Sequence, residues 1–428
     1  MERFSKQRRL WLGGVLGLAL PMARLAAAPL SVPPPLPSLD RTDASLAPWQ
    51  PGWLDIHHIA TGRGNATFVL LPDGTSLLID AGASAAGLDV SVAPRPSAAR
   101  RPGQWIARYV LRHLRPSGRD ALDYLVVTHL HPDHMGDSDA ASPLARNAAY
   151  RLSGVTDVAD QLEVGTLIDR GFPDYGYPSL LQAPFADNYR AFVRARVAAG
   201  CKVERFQAGS ARQIAARGHR PGAWPFEVRN VAVNGQVWSG SGEEARMLFP
   251  SLDSLERSEW PTENSCSAAL RIGYGRFSYF TAGDLTSYTE DGALPWRDVL
   301  GPAARAAGPV SVATADHHGM FDGLNADVVR SLQPKAWVIP SWHISHPDML
   351  QLERMFSQRL YPGPREVFAT TLMEENLRAN GRLARRLRSR DGHVVVRVAP
   401  GGGSFYVAVT GNGDETDRVK LLTESVLL

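Results

Sequence analysis

The chain has 428 residues, 44% of them hydrophobic, with ten Trp, 39 Gly and 31 Pro. That length and mixture describe a folded protein with a large core, or two modest ones, and exclude a disordered or collagen-like chain. The formal charge of +3 belongs to the N-terminus. Residues 1–28 carry Arg3, Lys6, Arg8, Arg9 and Arg24 against Glu2, and the rest of the chain sums to −1, so no strong nucleic-acid binding is expected.

Taken in chain order, residues 1–28 read as a signal peptide. A positive stretch precedes the uncharged run Leu10 to Leu20, and Ala26-Ala27-Ala28 offers the small residues a signal peptidase accepts. The apolar run is short for a bilayer span. Arg8-Arg9 before Leu10-Trp11-Leu12 resembles a twin-arginine export signal, with an ordinary secretory signal or an uncleaved anchor as alternatives. The expectation is an exported protein, periplasmic or secreted, without a transmembrane domain once the signal is removed. Residues 29–52, with Pro33-Pro34-Pro35, form a Pro-rich linker. Residues 53–410 form one catalytic domain, with a two-domain division near 210–240 as the alternative, and 411–428 a charged, loosely held C-terminal tail.

Within that domain the pattern predicts a strand at 54–59 and a hairpin of strands 67–71 and 76–79 about Pro72-Asp73-Gly74. Helical spacing follows over 105–114, then the continuous apolar strand 122–127 and a helix over 189–199. Strands 267–272 and 277–281 form a second hairpin, 310–314 and 336–339 are short strands, and 393–398 with 404–409 make a last hairpin over Gly401-Gly402-Gly403. Cys201 and Cys266 could pair in an oxidising compartment or stand as isolated thiols, and no Cys-x-x-Cys pattern supports a Cys-rich metal site.

The strongest chemical signal is Thr128-His129-Leu130-His131-Pro132-Asp133-His134, directly after the strand ending at Val127. A buried strand delivers these side chains to one loop, where His129 and His131 can chelate one cation and Asp133 and His134 a second. Imidazole and carboxylate suit Zn²⁺ and leave positions open for water. Three histidines and an aspartate within six residues seldom arise from packing alone.

His-x-His-x-Asp-His after a strand resembles the signature of the metallo-β-lactamase superfamily. Asp80 in Ile79-Asp80-Ala81-Gly82 looks like its strand-end Asp-x-Gly, and Asp284 in Thr281-Ala282-Gly283-Asp284 like its bridging carboxylate. Asp316-His317-His318-Gly319 resembles the His-His-Gly of the branch containing ComEC-type DNA-uptake proteins and phosphorylcholine esterases. Gly62-Arg63-Gly64-Asn65-Ala66 is similar to a Gly-Gln-Gly-Asp turn of that branch, with Arg63 and Asn65 departing from it, and Asn264-Ser265-Cys266-Ser267 loosely matches another of its patterns.

The resemblance implies an α/β fold, the αβ/βα four-layer metallo-β-lactamase sandwich, and a hydrolase with two divalent metal ions, Zn²⁺ favoured. The implied ligands are His129, His131, Asp133, His134, Asp284 and His318, with His343 and His346 as rivals for the last. Asp169, at the end of a predicted strand, and His219 compete as a further ligand of the first metal. A metal-bridging hydroxide would attack, with Asp133 or Asp284 orienting it and His317 protonating the leaving group. The favoured substrate is a small-molecule or polymer phosphoester. Lactam, lactone or thioester hydrolysis is the alternative, as is a non-catalytic metal-binding module. Residues 170–178 could wall the pocket.

Overall fold

In the computed structural model of the chain, which describes residues 44–217 and 225–428, the apolar runs become two large sheets. The predicted signal peptide, residues 29–43 of the linker and His219 lie outside the described residues. One sheet runs in the order Val419–Leu422, Ser404–Thr410, His393–Val398, Leu54–His58, Thr67–Leu70, Ser76–Ile79, Leu122–Val127, Val164–Asp169, Lys202–Arg205, with Val426–Leu427 also pairing with Ser404–Thr410. The other runs Glu366–Ala369, Ala336–Ile339, Val312–Thr314, Phe277–Thr281, Ala269–Tyr274, Phe226–Val233, Gln236–Trp238, Ala245–Met247.

Alternation along the strands assigns each side chain to a layer. Val126 packs into the core between the two sheets with Leu54, Ile56, Val69, Ile168, Leu270, Tyr279, Val312 and Val338. Its neighbours Leu125 and Val127 point the other way, into a core covered by the helices Pro102–Leu114, Val155–Gln161 and Pro184–Ala198. Phe280, Ala313, Trp337 and Val367 face outward from the second sheet against the helices Leu300–Ala307, Ala326–Leu332 and Met349–Phe356. Helix, sheet, sheet, helix is the four-layer sandwich the motif implied.

All three predicted hairpins are present as antiparallel pairs. The strands Ser76–Ile79, Leu122–Val127, Val164–Asp169 and Lys202–Arg205 pair in parallel, as do Phe277–Thr281, Val312–Thr314, Ala336–Ile339 and Glu366–Ala369. Parallel strands end on the same edge, which is where loops from several strands converge on one site. Helix Pro184–Ala198 starts a turn and a half earlier than its apolar spacing suggests, because Pro184 opens it at a position needing no amide hydrogen.

The structure corrects one expectation, the loosely held tail, and bears on two open alternatives. The strand Phe226–Val233 pairs with Ala269–Tyr274 across the second sheet, so no domain boundary falls at 225–240. The stretch after Gly411 is bound to the body. Its strands pair with Ser404–Thr410, and Arg112 holds Asp417 at 2.6 Å while Arg108 holds Glu415. Its charge is the reason it is held: the acids meet two arginines on one helix face. Cys201, half-buried, and Cys266, buried, are both free thiols.

Candidate metal centre

His129, His131, Asp133 and His134 follow the strand Leu122–Val127, Asp284 follows Phe277–Thr281, and His317 and His318 follow Val312–Thr314, so that all of them lie beyond the C-terminal ends of parallel strands. His129, His131 and Asp284 bring ligand atoms within 4.8 Å of one another, and so do Asp133, His134, Asp284 and His318. Asp284 belongs to both groups. Its Oδ1 lies 3.0 Å from His134 Nε2 and 3.5 Å from His318 Nε2, and its Oδ2 3.6 Å from His129 Nε2. His318 Nε2 is 3.0 Å from Asp133 Oδ2, and His129 Nε2 is 3.1 Å from His131 Nδ1.

The histidine loop is held from behind. Asp80, in a left-handed backbone conformation, accepts from Thr128 N at 2.8 Å, Thr128 Oγ1 at 2.8 Å, Asn65 Nδ2 at 3.1 Å and His134 Nδ1 at 2.7 Å. Asn65 N and Ala81 N donate to the carbonyls of Asp133 and His134. Gly64 and Gly82 lie so close to the Asp133 carbonyl that a Cβ at either position would overlap it. Both glycines of the two turns are therefore close-approach glycines. Arg63, where the branch has Gln, donates to Ser84 O, Val92 O and Ala86 O and ties down the neighbouring loop.

Two of the imidazoles are oriented by their other nitrogen, as ligand histidines are. His134 Nδ1–H points at Asp80, and His318 Nδ1–H donates to Pro340 O at 2.8 Å. A carbonyl can only accept, so a neutral His318 presents the lone pair of Nε2 to the cleft. That nitrogen is 3.2 Å from His134 Nε2. Two imidazole nitrogens and two carboxylates, those of Asp133 and Asp284, thus meet at one place in the cleft.

The charges point the same way. Burial alone would raise the Asp284 carboxyl, but His134, His318, His317 and His129 outweigh it and hold the group well below the usual carboxylate range. Burial would lower His134, yet Asp284, Asp80 and Asp133 raise it well above an ordinary histidine. Buried Asp284 Oδ1 has no hydrogen-bond donor of proper geometry although imidazole nitrogens surround it. A buried carboxylate oxygen in that state costs several kcal/mol unless a cation compensates it. The donor set therefore fits divalent metal ions, and Asp284 is common to both donor groups.

His317 lies at the edge of the cluster. Its Nδ1 is 2.6 Å from Asp322 Oδ1, its Nε2 is 3.2 Å from Asn264 Nδ2 and 3.9 Å from Asp284 Oδ2. Burial opposes its protonation, but Asp284 and Asp322 prevail and push the imidazole up to about 8. Asp316 accepts from Ala282 N at 2.9 Å and Thr314 Oγ1 at 2.8 Å, fastening this loop to the strand end that carries Asp284.

Asp169 is not part of the cluster. Its carboxylate is buried and takes hydrogen bonds from Gly171 N, Phe172 N, Tyr175 Oη and Tyr189 Oη, which leaves it committed to the fold of the 170–178 loop. Among the rivals of His318, His346 stacks on its ring at 4.7 Å and His343 Nδ1 meets Ser345 Oγ, so neither joins the two donor groups. His57 and His58 are buried in the first strand away from the cluster, as packing histidines. Sequence reasoning missed Asp322 and Glu263, lone acids that only the fold brings to His317 and to the Leu130 N–H.

Residues 60–154 match the profile of the Metallo-beta-lactamase superfamily. No curated protein matches the chain. Among solved structures, a candidate metal-dependent hydrolase from Parabacteroides distasonis ATCC 8503 is 11% identical, with a TM-score of 0.33, over 74% of this chain and 92% of that one. Human tRNase Z, short form, is 9% identical, with a TM-score of 0.27, over 66% and 91%. These likenesses are too distant to add to the profile match. That match ends at Gly154, within the first half of the sandwich, and Asp284 and His318, which complete the two donor groups, come from the second half.

Proposed function

We propose that the chain is an exported metal-dependent hydrolase of the metallo-β-lactamase superfamily that holds two divalent ions, Zn²⁺ preferred, and cleaves a phosphoester. The observation that carries the reading is Asp284, one carboxylate shared by a three-donor and a four-donor group. His129, His131 and Asp284 would hold one ion, and Asp133, His134, His318 and Asp284 the other. When bound, such ions polarise a water and neutralise charge building on the attacked group.

The chain's own residues do the rest. Asp133, only partly buried, lies on the open side of the four-donor group, where it can orient an attacking water. His317 is backed at Nδ1 by Asp322, which leaves Nε2 on the side of Asp284 and the cleft. From there it can donate a proton to a leaving alkoxide, which phosphoesters need more than activated thioesters do. Resemblance to the phosphorylcholine-esterase branch favours the same substrate class, and the twin-arginine-like leader supports export.

Metal analysis combined with chromogenic phosphodiester, phosphomonoester, lactam, lactone and thioester substrates tests the reading. Phosphoester turnover that His317→Gln abolishes with the metal content intact is the expected result. Turnover of only the other classes would replace the substrate, and full metal occupancy without any turnover would leave a binding module. Export is checked by fractionating cells that express the full chain with Arg8→Lys and Arg9→Lys, which should retain it in the cytoplasm.

A further inference from the structure

We propose that the buried Arg170–Glu263 pair is a positioning device for the first metal site, joining the His129–His131 loop to the body of the fold. The inference rests on the two-ion reading and goes beyond it by assigning a role to residues that contact no substrate and supply no ligand. Leu130 is the residue between the two histidines, and its backbone N–H donates to Glu263 Oε1 at 2.7 Å. The same oxygen accepts from Arg170 Nε at 2.6 Å, and Oε2 meets Arg170 Nη2, completing a two-pronged pair. Arg170 Nη1 also donates to Tyr177 O at 3.0 Å and Asn234 Oδ1 at 3.2 Å. The guanidinium is therefore fixed to both sheets, and Glu263 passes that fixity to one peptide.

The placement matters because the three-donor group lacks the backing its neighbour has. His134 is held by Asp80 and His318 by Pro340 O. His131, partly exposed, has no bond to a residue outside the histidine motif, so its ring depends on where the backbone at Leu130 is held. Glu263 is followed by Asn264, whose amide touches His317, so one short segment grips both sides of the cleft. A buried charge pair is costly to form and is seldom a net source of stability. A function in fixing geometry explains its presence.

Metal-free full-length protein is titrated with Zn²⁺ against a chromogenic chelator, with His131→Ala and His318→Ala identifying the class of binding lost at each site. Glu263→Ala should weaken the class lost in His131→Ala by about 10- to 100-fold and leave the class lost in His318→Ala within about twofold. Glu263→Gln, which keeps an acceptor for Leu130 N–H, should recover part of the loss. Because Glu263→Ala removes the counter-charge of buried Arg170, the double variant Arg170→Leu/Glu263→Leu is made alongside. It removes both charges, should fold, and should still show the selective loss. Unchanged affinity at the first class, or an equal loss at both, overturns the proposal while the two-ion reading stands. A wild-type chain that binds no Zn²⁺ overturns both.

Discussion

Replacing Asp80 by Asn probes the support behind one ligand without touching any metal donor. The side chain accepts four hydrogen bonds, the shortest from His134 Nδ1 at 2.7 Å. Asn keeps the size and tolerates the left-handed backbone at this position, where φ is 61°, so strain is not the source of any effect. What goes is the negative charge and one acceptor, since the amide NH₂ must face either His134 or Thr128. A hydrogen bond to a charged partner contributes about 2 kcal/mol, and that corresponds to about 30-fold in affinity. Chelator competition on the metal-free protein should show that loss in the four-donor class and little change in the three-donor class. Affinity within twofold of wild type would refute the reasoning that the acid behind His134 sets its ligand strength.

Four further outcomes follow from the same geometry. Asp169→Asn should cost about 3 kcal/mol of stability in denaturant unfolding, because four donors lose a charged acceptor, while both Zn²⁺ affinities stay near wild type. A large fall in metal affinity with stability intact would restore it as a ligand. Gly82→Ala should disrupt the histidine loop, since its Cβ would overlap Asp133 O, and a crystal structure with the loop unmoved would contradict this. Burial lowers His58 from 6.5 to about 3 and His57 from 6.5 to about 4. The unfolded chain then binds more protons below pH 6.5, so stability falls as pH drops from 6.5 toward 4, by about 1.4 kcal/mol per unit for each group. His58→Gln should flatten the decline in melting temperature over that window, and an unchanged slope counts against the assignment. Asp284→Asn should weaken both ion classes together, which Zn²⁺ titration reads directly.

The site was legible where its chemistry is local. His129, His131, Asp133 and His134 share one loop after an uninterrupted apolar strand, so spacing alone brings them together. Asp80 and Asp284 show as carboxylates at strand ends, where burial needs a charged reason. His318 could not be separated from His343 and His346 by sequence, because the choice depends on which ring the Pro340 carbonyl orients and which merely stacks behind it. Asp169 misled because a carboxylate ending a buried strand has two explanations, a cation or a nest of donors, and Tyr175 and Tyr189 supply the second.

In the fold, long alternating strands were visible and short or irregular elements were not. Ala245–Met247 is exposed throughout and carries no burial period. Leu300–Ala307 contains Gly301 and Pro302 near its start, which read as breakers although both fall where a helix needs no amide bond. Glu374–Ala384 buries Asn376 and Asn380, which cap the carbonyl of Pro347 and break the apolar stripe. Tertiary hydrogen bonds replace hydrophobic periodicity there, and no single-sequence pattern encodes them.

The most direct test is a crystal of the Zn²⁺-loaded protein with anomalous data at the zinc edge. The account predicts two peaks, one about 2.0–2.2 Å from nitrogens of His129 and His131, the other at bonding distance from Asp133, His134 and His318, with Asp284 reaching both. A single peak, or two of which one lies out of reach of Asp284, would contradict it.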